Sequence, residues 1–324
     1  MTGYWGEVDA LHTFCEPNYR TSAFVAEFWN SLGSTVYCFA ALSGLVSTAG
    51  MVWQVRCGWW ALLLTGLGSI TFHGTMRYNA ELLDELPMLQ LIACATLAAD
   101  GAHPWTRTPR GRALLLGGMA ASLGGLTAAY LYTRTFYLFV TGFTLSVLLL
   151  FALGLAMESC SPAVGHCRVR AIGCIALGRI AWEIEERFCA AMPTLWPLHN
   201  VWHLLSCAAA VYMLLCLYYY RLEVLGADGL YGGTQQRGTF FLPKPLAIRA
   251  NIHEAVTRAA ECPMKPAAVV STEPPEGCLR GHGDASCGVS HCRISSRDMG
   301  HEGDLSKRRP PGSARSGSAQ LLKA

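Results

Sequence analysis

Between Phe24 and Tyr220 the chain repeats one pattern: apolar runs, several of about 18 residues or more, separated by short polar breaks. A run of that length crosses a bilayer as a helix. Of 324 residues, 52% are hydrophobic and 15% charged, and the mean hydropathy is +0.29, outside the balance of an ordinary soluble domain. Seven runs read as spans: Phe24–Val52, Gly58–Met76, Leu82–Ala99, Ala113–Tyr132, Phe136–Met157, Val169–Ile184 and Leu198–Tyr220. Arg179 interrupts the sixth. The expected architecture is an all-α membrane protein, a seven-transmembrane-helix bundle at 24–222. An N-terminal loop at 1–23 precedes it, and a tail at 223–324, rich in Gly, Pro, Ser, Arg and Lys, is expected to be largely disordered.

The first twenty residues have neither a basic start nor an apolar stretch, so no cleavable signal is expected and the first span serves for insertion. Arg56, then Arg107, Arg110 and Arg112, then Arg168 and Arg170 follow spans one, three and five. The opposite face carries Arg20, Arg77, Arg134 and Arg187, one per segment. Basic short loops stay in the cytosol, which predicts a lumenal N-terminus and a cytosolic C-terminus. A net charge of +3, concentrated in the tail, argues against a nucleic-acid partner. The expected partner is the bilayer; nothing in the residues names a protein partner.

Most of the 14 cysteines stand singly in apolar runs, where a thiol acts as a small hydrophobe. Cys15 and Cys189 differ, because both fall on the predicted lumenal face, where oxidising conditions permit a disulfide. In the tail, Cys278, His282, Cys287, His291 and Cys292 look like a zinc knuckle, but their spacing fits no such module.

Three histidines share one depth: His73 near the end of span two, and His199 and His203 at the start of span seven. Residues four apart lie on one helix face one turn apart, so His199 and His203 are placed to grip one ion. His73 then completes the three-protein-ligand set typical of catalytic zinc. Ser69, one turn before His73, and Asp84, in LLDELPM at 82–88, approach the same spot. Each has an ordinary reading as well. The His pair suits an interfacial hydrogen-bonded pair, Asp84 suits a cap or a partner of Arg77 or Arg179, and Ser69 suits a bond to its own backbone.

AEFWN at 26–30, SITFH at 69–73, LLDELPM at 82–88 and HNVWH at 199–203 together resemble the alkaline ceramidase family. That family shares a seven-span superfamily with the adiponectin receptors. YWG at 4–6, CEPN at 15–18 and WEIEERFC at 182–189 fit in the same order. The resemblance covers about residues 3 to 222. It implies cleavage of the amide bond of ceramide to a sphingoid base and a free fatty acid, in endoplasmic reticulum or Golgi membranes. It implies zinc on His73, His199 and His203, with Asp84 and Ser69 as catalytic groups. It also implies calcium on the Phe14 carbonyl, Glu16, Asn18 and Glu27, with Thr13 standing where the family has an Asp. On this reading Asp84 moves protons, Ser69 stabilises the oxyanion, and Leu62–Leu67 and Leu204–Leu215 wall the lipid site. The competing readings are a seven-span receptor with a structural or weakly hydrolytic metal site, and a haem protein or transporter that uses the histidines as axial ligands or a proton relay.

Overall fold

The computed structural model describes residues 3–48, 52–157, 159 and 161–224. These lie in one compact unit. The tail cysteines and histidines at 278–292 lie outside the described residues, as does nearly all of the segment read as disordered.

The described chain is helical: α1 (Phe28–Gly33), α2 (Thr35–Ser47), α3 (Trp53–Thr75), α4 (Tyr78–Ala98), α5 (Pro109–Thr133), α6 (Phe136–Leu155), α7 (Pro162–Phe188) and α8 (Pro197–Val224). Short 3-10 turns at Pro104–Arg107 and Pro193–Leu195 precede α5 and α8. The first predicted span is broken at Ser34, whose hydroxyl donates to the Asn30 carbonyl at 2.8 Å. A serine bonded back by one turn bends a helix, and here it hands the chain from α1 to α2. At α5, Pro109 occupies the first helical position, where its missing N–H is no loss, and the Thr108 hydroxyl accepts from Gly111 N at 3.0 Å. Helices α3 and α5 stop at residues in the left-handed region, Met76 (φ 51°) and Arg134 (φ 49°).

Among the described residues, three stretches are long and apolar enough to cross a membrane by length and composition: α5, α6 and the stretch Pro193–Val224 that contains α8. Of the remaining helices, α1 and α2 are short, with 6 and 13 residues, whereas α4 and α7 carry several charged side chains. Of these, Glu81, Glu85 and Glu185 are buried within the protein. A helix that directs its polar groups inward lowers its own hydropathy without exposing them to lipid. Arg179 does not interrupt α7. Its guanidinium donates to Glu183 at 2.5 and 3.0 Å, reaches the Thr144 hydroxyl and lies over the Trp182 ring.

Helix α8 forms the centre, with Cys207, Val211, Leu214, Leu215, Tyr218 and Leu222 all buried. Gly58 lets α3 close on it, since a β-carbon there would meet Leu214 Cδ2 at 2.5 Å. Arg221 donates to the Ala98 and Leu97 carbonyls and so satisfies the end of α4. Helices α5 and α6 turn Leu114, Leu145, Leu148 and Leu149 outward, the surface a helix presents to hydrocarbon.

Candidate metal centre

The central geometry depends on how closely α3 and α4 approach. Pro87 has no N–H, so the Leu83 carbonyl one turn earlier lacks its usual helical donor. Gly68 packs against that carbonyl, and a β-carbon there would lie 1.9 Å from Leu83 O and 2.7 Å from Asp84 N. The next residue, Ser69, is thereby brought up to the carboxylate of Asp84. Asp84 lies in the second turn of α4 rather than at its cap. Neither suggested cation takes it, because Arg77 pairs with Asp9 at 3.0 Å and Arg179 with Glu183.

At the same depth His73 (α3), His199 and His203 (α8) each offer a ring nitrogen, and the three nitrogens lie within 4.8 Å of one another. All three residues are buried, at 1 to 3% exposure. Every Nδ1 already has a partner. His73 Nδ1 meets Glu27 Oε2 at 2.7 Å, His199 Nδ1 meets Glu185 Oε2 at 3.1 Å, and His203 Nδ1 meets Ser34 Oγ at 3.3 Å. A carboxylate only accepts, so the first two Nδ1 atoms carry the proton. Ser34 Oγ also contacts the Asn30 carbonyl at 2.8 Å and Ser69 Oγ at 3.0 Å, so it does not by itself fix the tautomer of His203. With Nδ1 protonated, His73 and His199 carry their lone pairs on Nε2, and the three clustered ring nitrogens are a donor set that suits a divalent transition metal, with outer partners of the kind that orient imidazoles at such sites. Haem needs histidines facing each other across a plane; His199 and His203 share one helix face, with ring centroids 4.5 Å apart.

His199, His203, Asp84 and Ser69 open on one cavity. Its wall is apolar, with Phe139, Val140 and Phe143 of α6 prominent. Both expected wall segments reach the cavity: Leu62 and Thr65 of 62–67 line it, as do Ser206, Ala209, Ala210 and Met213 of 204–215. Leu64, Leu67 and Leu204 point outward, because a 3.6-residue period turns only one face of each helix inward.

The N-terminal loop folds over the histidines, and the Phe14 ring lies 3.9 Å from that of His199 by centroids. Glu16 is buried and caps α1, its carboxylate accepting from Trp29 N and Asn30 N at 2.8 Å each. Burial raises its carboxyl above the ordinary range, against those two amides, and the nearby Glu27 carboxylate raises it further. Asn18 Oδ1 is buried with no hydrogen-bond partner. Glu27, fully buried, accepts from Phe14 N at 3.3 Å and Asn30 Nδ2 at 3.0 Å as well as facing His73. Thr13 is exposed. The sulfurs of Cys15 and Cys189 are joined in a disulfide.

Sequence reading assigned no part to Ser34, Glu81, Glu85, Tyr130 or Glu185. Glu185 carried the one usable signal, an acidic residue in the WEIEER run at the end of a span, where charge is expensive. Ser34 carried none, since a serine within an apolar run is unremarkable until the helix breaks there. Glu85, hydrogen-bonded to Tyr130 in the cavity wall, and Glu81, fully buried with Oε1 unpartnered, are legible only in three dimensions.

A family model described as ceramidase matches residues 6–243. Alkaline ceramidase 3 of Mus musculus is 37% identical over 89 residues, 27% of this chain and 33% of the relative. Alkaline ceramidase YPC1 of Saccharomyces cerevisiae is 31% identical over 123 residues, 36% of this chain and 35% of the relative. An alkaline ceramidase of Arabidopsis thaliana is 23% identical over 232 residues, 67% of this chain and 87% of that protein. The chain thus spans about a third of the length of the first two relatives and most of the third.

Proposed function

The chain belongs to the ceramidase family, and from that premise we propose that it hydrolyses the amide bond of ceramide within the membrane, releasing a sphingoid base and a free fatty acid. The observation that carries this reading is the buried trio His73, His199 and His203, whose ring nitrogens cluster within 4.8 Å, beside Asp84 and Ser69 at an apolar cavity. His73, His199 and His203 would hold a zinc ion, which would supply Lewis acidity at the amide carbonyl and lower the pKa of water at the site. Asp84 takes the proton of the attacking water and returns it to the departing amine, since an amine leaves only once protonated. Ser69 donates a hydrogen bond to the oxyanion as it develops. Glu27 and Glu185 keep the imidazoles of His73 and His199 in the ligating tautomer. The phenylalanines of α6 exclude bulk water and seat alkyl chains.

In this reading α1 and α2 form one interrupted span, and with α3 to α8 they make seven. The N-terminal loop at 1–23 is lumenal and the tail from 223 cytosolic, in endoplasmic reticulum or Golgi membrane. The arginine distribution supports this orientation. Detergent-purified protein given a panel of ceramides is expected to release fatty acid and sphingoid base in equal amounts, detected by mass spectrometry. A zinc chelator is expected to stop the release and added zinc to restore it. No product from any ceramide of the panel rejects the proposal.

Calcium on the Phe14 carbonyl, Glu16, Asn18 and Glu27 belongs to the same proposal. The unpartnered Asn18 oxygen and the two neighbouring buried carboxylates support it, because a cation there offsets the cost of burying both charges. Calcium takes about six to eight oxygens and gains affinity with each charged one. Thr13 in place of an Asp therefore weakens the site without erasing it. Titrating calcium into chelator-treated protein is expected to raise activity, and Thr13→Asp is expected to shift that titration to lower calcium. Two flat titrations remove calcium from the proposal.

A further inference from the structure

The loop residues that cover the histidines are chemically tied to them. Two consecutive backbone amides each hold a carboxylate that stands behind a different histidine. Phe14 N donates to Glu27 Oε1, whose other oxygen meets His73; Cys15 N donates to Glu185 Oε1 at 3.1 Å, whose other oxygen meets His199 Nδ1 at 3.1 Å. The second link is closed covalently as well. Cys15 is bonded to Cys189, and Cys189 N donates to the Glu185 carbonyl at 2.9 Å at the end of α7. Cys15, the disulfide, the last turn of α7 and the Glu185 carboxylate therefore form a closed ring that ends on His199. Glu185 is 2% exposed, and its two oxygens have one donor each.

We infer that Glu185 is a positioning residue for His199, and that the Cys15–Cys189 bond acts on metal retention through it. A buried carboxylate with both oxygens occupied has one orientation, and it holds the imidazole in one tautomer at one angle. Without the disulfide the loop is held over the centre by hydrogen bonds and packing alone, and when it lifts Cys15 N leaves Glu185 Oε1. The carboxylate is then free to turn away from His199. Glutamine at 185 has the same size but one acceptor oxygen. It keeps either the Cys15 amide or the His199 Nδ1–H, and its NH₂ group faces the other donor.

This inference rests on the zinc reading, and zinc retention separates the two. Purified protein is exposed to a chelator for timed intervals, and bound zinc is counted by mass spectrometry. Outer carboxylates at such sites change metal affinity by about 10- to 100-fold. Glu185→Gln is expected to shorten the half-life of bound zinc by about that factor, with Glu185→Asp intermediate. The Cys15→Ser/Cys189→Ser pair is expected to shorten it in the same direction, and less once Gln already occupies 185, because both changes break one link. Wild-type zinc in His199→Ala overturns the zinc reading itself. Zinc lost from His199→Ala but retained as in wild type by Glu185→Gln overturns the present inference alone. So do fully additive effects of Glu185→Gln and disulfide removal. If Glu185→Gln does not accumulate in membranes, the cysteine pair decides, and an unchanged half-life there overturns the inference.

Discussion

Replacing His73, His199 or His203 singly by alanine is expected to reduce ceramide hydrolysis to background and bound zinc to well below one per chain. The three residues come from two helices, and each is buried with its Nδ1 engaged, so no neighbouring group is free to take over the lost lone pair. A two-ligand site holds zinc weakly, because structural and catalytic sites draw three or four ligands from the protein. The truncation also opens a buried space, and at His199 it leaves Glu185 Oε2 without a donor, which costs stability of about 1–3 kcal/mol. Loss of activity therefore has to be read beside zinc content and the amount of folded protein in the membrane fraction. A variant that retains full turnover with the zinc gone would sink the proposal.

Asp84→Asn is expected to separate chemistry from metal binding. Asparagine has the same shape and keeps a contact for Ser69, and Asp84 supplies none of the three clustered nitrogens. It cannot take a proton from water or return one to an amine. General acid–base catalysis contributes about 10²- to 10⁴-fold, so turnover should fall by a factor in that range while zinc content stays at the wild-type value. Activity within a few-fold of wild type assigns proton transfer to another group. Loss of zinc along with activity instead makes Asp84 part of the metal's support. The approach of α3 to α4 at Gly68 makes Asp84 sensitive to packing, so the comparison with the histidine variants is best made on protein of matched thermal stability.

The helices were legible because hydropathy is a local property. Phe136–Leu155 begins at the residue where the predicted fifth span begins, and α3, α4 and α8 overlap their predicted spans to within a few residues at most ends. The sequence was hardest to read where a polar residue changes meaning with its surroundings. The sixth span reads as Val169–Ile184 with Arg179 as an interruption inside it, and α7 runs through Arg179 for 27 residues because Glu183 on the same helix face takes its charge. Ser34 was invisible in an apolar run, yet it divides α1 from α2 and meets His203 Nδ1.

The same division runs through the candidate site. Sequence spacing alone placed His199 and His203 on one helix face, because residues four apart on a helix must share it. It also set His73, Ser69 and Asp84 at similar depth, since position along an apolar run measures depth. Only the tertiary structure decided which carboxylates stand behind which imidazoles. Glu27 lies 46 residues from His73, and the Cys15 amide lies 170 residues from Glu185. Such contacts depend on how closely helices approach, and here that is decided by a bare Cα at Gly68, a carbonyl freed by Pro87 and a disulfide across the loops. Periodicity records which face of a helix turns inward; it holds no information on the distance to the helix that meets it.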